Sequence, residues 1–342
     1  PQVTYDLSVT GFSVQQTRDA GVGALAITAN GNFADNRVTL DADLSGSGLD
    51  FSADGTVNVA GTPSFDLRLD GTAPLSLANR ILAENGRSVQ GTVRVNASVT
   101  GTAANPNING TISTSGASFV DTGLNLAVNN INATVALNGQ TATLQNVTAQ
   151  VGSGGTVSVT GTVGLGAGFP ADLAIQANDV RYSDGELVTV TLDAGLTLTG
   201  PLTGAAILAG TINAQEIAII VPDNLPTSLA RIDLERRNTP PRVLEQLREI
   251  DPPSSSGGAS TSGGIRLDVT LNAPNRVFVR GRGLDLELGG TIQITGPVSD
   301  LNITGGFELQ RGRFQLLSRR LNFERANLTF DGNLVPTLDL LA

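Results

Sequence analysis

The 342-residue sequence contains no cysteine, histidine, methionine or tryptophan. All 21 basic residues are arginine, so lysine is missing as well. These absences remove an imidazole general base, a thiolate nucleophile, a Schiff-base amine, a P-loop lysine and any zinc site of imidazole or thiolate. Two tyrosines leave little room for phenol chemistry. No catalytic residue and no cofactor are expected. Without cysteine there is no disulfide framework to reveal a compartment, although a chain free of thiols fits an envelope protein that avoids stray oxidation.

Charge is sparse at 15%, and the net charge of −10 argues against a nucleic-acid partner. Residues 1–180 carry 6 Arg against 13 acids, and residues 265–342 carry 9 against 8, so the C-terminal end is the least acidic. No apolar run approaches the roughly 20 residues that span a bilayer. No leader or initiator methionine is visible, and a fragment or processed chain is expected.

What is present reads as β-structure. Glycine numbers 41, and apolar residues make up 40% of the chain. Apolar side chains alternate with polar ones at Val3, Tyr5, Leu7 and Val9, at Val38, Leu40, Ala42 and Leu44, and at Ile131, Ala133, Val135 and Leu137. Such alternation puts one kind of side chain on each face of a sheet. Turn signals punctuate it at Ala29–Asn32, Leu44–Gly48, Leu137–Gln140 and Phe330–Asn333. Roughly 25 strands are expected. Thr-Gly pairs followed by a further glycine recur at Gly101–Gly110, Gly200–Gly210 and Gly296–Gly305, nearly 100 residues apart in sequence, and suggest stacked like units. Residues 75–84 follow Pro74 and read as a short helix ended by Gly86. Residues 222–264 read as an insertion of loop, helix and Ser/Gly linker within one elongated domain spanning 1–342.

An apolar face of that extent must be covered. Leaving it wet would cost on the order of 150–200 kcal/mol at about 25 cal/mol per Å². Two short helices cannot cover it, so the sheet is expected to curl lengthwise on itself into a trough roughly 100 Å long. The alternation leaves both a closed core and an open apolar conduit possible. Glycine clusters at Gly164–Gly168 and Gly21–Gly23 open no helix and read as turns rather than phosphate loops, and Asp41 with Asp43 reads as a solvated strand face.

The C-terminal stretch adds a resemblance. It carries Thr295-Gly296-Pro297, a strand opened by Gly305, Arg311-Gly312-Arg313-Phe314, Leu328-Thr329-Phe330-Asp331-Gly332 and Pro336-x-Leu338-x-Leu340. This pattern resembles the C-terminal region of the TamB family, the inner-membrane-anchored subunits of the translocation and assembly module, and through it the AsmA-like and bridge-like lipid-transfer proteins. The resemblance implies an all-β, antiparallel-rich taco-shaped groove in the periplasm, conducting phospholipid between the two membranes or assisting outer-membrane protein assembly. Implied partners are phospholipid acyl chains and, for the full-length protein, a TamA-like barrel.

On that reading the groove lining comprises Val93, Val95, Val99, Val157, Val159, Leu196, Leu198, Ile217 and Ile219 in the first part of the chain. Beyond the insertion it comprises Leu267, Val269, Leu271, Leu284, Leu286, Leu288, Ile292, Ile294, Ile303, Phe307, Leu309, Phe314, Leu316, Phe323, Leu328 and Phe330. Arg311, Arg313, Arg319, Arg320 and Arg325 are candidates for headgroup or partner contact, or form a solvated rim. The alternative is a secreted β-solenoid adhesin or glycan-processing protein, which would want exposed aromatic stacking platforms and a carboxylate cluster; two tyrosines and no tryptophan weigh against it.

Overall fold

A computed structural model describes residues 2–13, 23–221, 264–316, 319–333 and 335–341. The expected insertion, residues 222–264, lies outside those described except for Gly264. Val, Ile, Thr and Leu in alternation favour extended chain almost throughout, and twenty strands result. In chain order they are β1 (Val3–Phe12), β2 (Leu25–Ala34), β3 (Arg37–Gly46), β4 (Leu49–Asn58), β5 (Ser64–Pro74), β6 (Arg87–Gln90), β7 (Thr92–Thr102), β8 (Pro106–Asp121), β9 (Leu126–Gly139) and β10 (Thr141–Val151). There follow β11 (Thr156–Gly164), β12 (Pro170–Ser183), β13 (Val188–Pro201), β14 (Ile207–Ile220), β15 (Arg266–Gly281), β16 (Leu284–Pro297), β17 (Asn302–Leu316), β18 (Arg319–Asn322), β19 (Arg325–Asp331) and β20 (Thr337–Leu341).

All twenty belong to one curled, unclosed sheet. Neighbours pair antiparallel along its length, with one exception: β14 and β15 run parallel. β6 extends β7's place along the far end of β8, and β18 and β19 share the length of β17. The strand count is lower than expected because some runs fuse. Leu284–Leu288 and Ile292–Ile294 are one strand, continued through Gly289-Gly290. The Asn30-Gly31 turn signal is also corrected. Those residues lie inside β2, and the turn falls at Asp35-Asn36, with φ of 50° and 59° as a tight hairpin requires. Gly31 is instead the gap into which Tyr5 fits, its hydroxyl donating to Thr39 O at 2.6 Å. The helical segment forms as expected: α1 (Asn79–Leu82) sits between two 3-10 turns, and Gly86 at φ 69° ends it.

The strands end on two long rims. Turns 35–36, 59–63, 103–105, 139–140, 165–169, 202–206, 298–301 and 332–336 lie on the first, and turns 47–48, 122–125, 152–155, 184–187 and 282–283 on the second. The chain leaves β14 at the second rim and enters β15 at the first, which is why that pair is parallel. Among the described residues, substantial packing occurs only between hydrogen-bonded strands and between the helical segment and β6.

A regular line of glycines crosses it. Gly55 shares a rung with Ile108 through β5 and β7, and Gly110 stands one rung on. The same step, three strands across and one rung along, leads from Gly110 to Gly161, to Gly210 and to Gly305. From strand spacing and rise, the line runs roughly 25° off the perpendicular to the strands. At Gly161 φ is 131°, and an added Cβ would lie 2.1 Å from Asp172 O. Glycine there lets adjacent backbones kink towards each other, which bends the sheet. Gly161→Ala should therefore lower stability by about 2–4 kcal/mol. Gly166→Ala, where nothing lies within 4 Å, should stay within about 0.5 kcal/mol, and urea unfolding of both variants checks the contrast.

Candidate functional site

Side chains of residues directly opposite in a ladder share a face, so the registers show what each face carries. One rung runs Val9, Ile27, Leu44, Phe51, Gly71, Val95, Ile112, Val135, Leu144, Gly161, Leu173, Leu198, Leu208 and Leu267. It crosses from β1 to β15 without one polar side chain. A neighbouring rung runs Val93, Thr114, Ala133, Val147, Val159, Ile175, Leu196, Gly210, Val269, Ile294 and Ile303, with a single threonine. A third carries Val190, Ile217, Val277, Leu288 and Leu309. The inner face is thus one apolar surface over the sheet's whole length.

The residues expected to line a groove stand on it. Val99, Val157 and Ile219 fall on its rungs, as do Leu271, Leu284, Leu286, Ile292, Phe307, Phe314, Leu328 and Phe330. Phe323 packs beside Phe314, ring centroids 6.5 Å apart. The side chain of Leu316 lies outside those described. Ile112, Leu144, Leu173, Ile175, Leu208 and Ile212 belong to the same face and were not in the expected set. Leu144 was obscured by a bulge that puts three residue steps between it and Val147.

Burial changes along the face. Before β14 the buried apolar residues are Leu25, Val151 and the alanines 97, 117, 142, 171, 194 and 206. Small side chains sink between larger neighbours there, while Val, Leu and Ile remain half-exposed. From β14 onward large side chains are buried: Ile217, Val277, Leu286, Leu288, Ile292, Ile303 and Phe307 form one cluster with Phe323, Leu328 and Phe330 against it. Large inner-face side chains are thus partly buried over the first two-thirds of the sheet and buried near β14–β19.

The outer face is polar and knitted sideways. Gln215 Nε2 donates to Asp179 Oδ1 and Asp193 Oδ2, both at 2.8 Å. Asp193 Oδ1 also accepts the Asp179 N–H, and this backbone donor, then Gln215, holds its carboxyl below the usual range. Three of the candidate arginines lie on this face in ion pairs: Arg311 with Glu287, Arg313 with Asp285 at 2.8 Å, and Arg325 with Asp339 at 2.9 Å. Arg280 joins Asp285 at 3.3 Å and lies over the Phe278 ring at 4.4 Å. Arg319 and Arg320 are exposed in β18. Asp41 stands opposite Asp54 on the outer face, and among the described residues no group of three or more carboxylates could hold a metal ion.

Two carboxylates fix the second rim. Asp121, 4% exposed, takes Arg87 Nε at 2.8 Å and the Leu124 N–H at 3.0 Å, and the arginine chiefly depresses its pKa. Asp184 Oδ1 accepts the N–H groups of Val188, Leu187 and Glu186 at 2.9, 2.9 and 3.0 Å, which depress it likewise.

A family model described as the TamB C-terminal domain matches residues 145–342. The chain belongs to the TamB family. No curated protein and no solved structure matches it. The TamB match begins in β10 and takes in both the half-exposed rungs of β11–β13 and the filled end of the trough.

A depressed carboxyl pKa stabilises the fold above the ordinary value of 3.8 and stops doing so as pH falls through the folded value. Asp184→Ala should therefore melt below the parent at neutral pH, and the two melting curves should converge well below pH 3.8. Melting temperature against pH measures both.

Proposed function

We propose that the trough carries hydrocarbon, and that its occupant is the acyl chains of phospholipid moving across the periplasm between membranes. One observation carries this reading. The apolar rungs run uninterrupted from strand to strand, yet over β1–β13 their large side chains are only partly buried. A water-exposed apolar surface of that size is costly unless a ligand covers it. The lining is aliphatic and carries almost no hydrogen-bonding groups, so it can hold a chain without fixing its position. Membership of the TamB family supports the same role and a periplasmic setting. The ion pairs of Arg311, Arg313 and Arg325 lie on the outer face, as does Arg320 opposite Gln315, so a headgroup role falls to Arg319. The reading assigns no catalysis.

A second reading, assembly of outer-membrane proteins together with a TamA-like barrel, has one feature in its favour. β20 is an exposed edge with Leu338, Leu340 and Leu341 open to solvent, and such an edge can accept another strand. Native mass spectrometry of the purified protein tests the lipid reading: phospholipid should co-purify. Leu196→Asp, on the inner face of β13, should abolish that adduct, whereas Thr197→Asp, on the outer face of the same strand, should retain it. A photocrosslinker at Ile294 that captures only protein, with no lipid adduct from any variant, would sink the proposal and favour strand chaperoning.

A further inference from the structure

The two rims differ in chemistry. On the first rim the three successive turns 139–140, 164–170 and 200–206 contain no charged side chain. The second-rim turns 121–125, 151–155 and 183–187 contain Asp121, Asp184 and Glu186. Phe169, Leu202, Ile207, Ile265 and Val298 are all on the first rim and are 42–58% exposed. They are neighbours there: Leu202 N donates to Phe169 O at 3.2 Å, Arg266 N to Ala206 O at 2.8 Å and Val298 N to Ile265 O at 3.1 Å. Together they expose on the order of 400 Å² of apolar surface, the size of the largest apolar patch on a typical monomer, which is often functional. Phe169, Leu202, Ile265 and Val298 lie two residues beyond the inner-face positions Ala171, Gly200, Leu267 and Gly296, so the apolar rim runs on from the trough lining.

We propose that this stretch of the first rim is where the sheet meets a lipid surface, so that acyl chains pass between bilayer and trough across its edge. The deepening rests on the trough reading only for the passage of chains; the contact itself stands on the rim. Three observations favour hydrocarbon over a protein partner. The turns 139–140, 164–170 and 200–206 carry no Arg, Tyr or Trp, the side chains that most often anchor protein interfaces. Of the eight prolines among the described residues, Pro63, Pro106, Pro170, Pro201, Pro297 and Pro336 lie on this rim, and each removes a backbone N–H that would otherwise need a partner in lipid. Phe169 is held at φ 49°. A bulky residue is strained there, and glycine or asparagine would serve the turn better, so what the ring gains must come from outside the turn.

The chain has no tryptophan, so single probes report without background. Phe169→Trp, Leu202→Trp, Glu186→Trp on the second rim and Ile175→Trp on the trough floor would each be mixed with phosphatidylcholine vesicles with and without brominated acyl chains. Circular dichroism confirms the fold, and the Leu202 probe serves if the Phe169 position tolerates no exchange. Emission from the first-rim probes should shift to the blue and lose more than half its intensity to bromine, while the Glu186 probe is unmoved. No quenching at the first rim, or equal quenching at both rims, would overturn the proposal. So would a blue shift that appears without vesicles and grows with protein concentration, since the rim would then bind a second copy of the chain. Quenching at Ile175→Trp alone would sink the rim contact and spare the trough; quenching at the first rim alone would do the reverse.

Discussion

Everything in this molecule depends on keeping the ladders in phase. Side chains on a strand alternate with period two, so a slip of one residue would turn a whole row of Val and Leu from the inner face to the outer. A sheet of twenty strands has many chances to slip. Its bulges preserve phase rather than disturb it. Between Leu144 and Val147 the chain takes three steps while its partner goes from Gly161 to Val159 in two. Between Ala177 and Val180 it again takes three against two, Ala194 to Leu192. Without the extra residue, Val147 and Val180 would face solvent. The bulges therefore act as register corrections that keep the apolar rungs continuous.

This explains how much of the architecture was legible. Where alternation is uninterrupted, as at Val93–Val99 or Leu284–Leu288, face and strand follow from the residues alone. It fails where glycine serves the sheet instead of a turn, since Asn30-Gly31 has the composition of a hairpin and the position of a strand centre. The repeat was legible only in part. The inner-face glycines recur about every 50 residues when the insertion is set aside. Three antiparallel strands reverse the chain, so successive units meet their glycine from opposite directions. Gly110, Gly210 and Gly305 lie on strands that start at the first rim and share the preceding Thr-Gly pair; Gly55 and Gly161 lie on strands that start at the second and do not. The interval near 100 residues is two such units from Gly110 to Gly210, but one unit plus the insertion from Gly210 to Gly305, where the parallel step from β14 to β15 keeps both glycines on strands that start at the first rim.

The lining was easier to foresee than its surroundings. A residue's face depends on its parity, which a sequence carries. Which arginine meets which acid depends on pairing between strands far apart in the chain, as with Arg311 and Glu287 or Arg87 and Asp121. The rim contrast is of the same kind, since Phe169, Leu202 and Val298 become neighbours only once the turns are stacked.

The burial gradient bears on how such a trough can work. Over β7–β13 the rungs present Val, Leu and Ile at half exposure, with alanines sunk between them, so the surface is smooth and continuous. Near β14–β19 phenylalanines at 307, 314, 323 and 330 fill the same channel. A hydrocarbon chain gains most where it covers exposed side chains and gains little where they already cover one another, because the driving force follows the apolar area removed from water. Affinity along the inner face should thus fall toward the C-terminal strands without any change in polarity. If the trough carries hydrocarbon as proposed, a chain moving in that direction would be held less firmly, because the protein already covers its own apolar side chains there. On the same proposal the uncharged turns 139–140, 164–170 and 200–206 would be where entry desolvates least, with Asp121, Asp184 and Glu186 on the turns across from them.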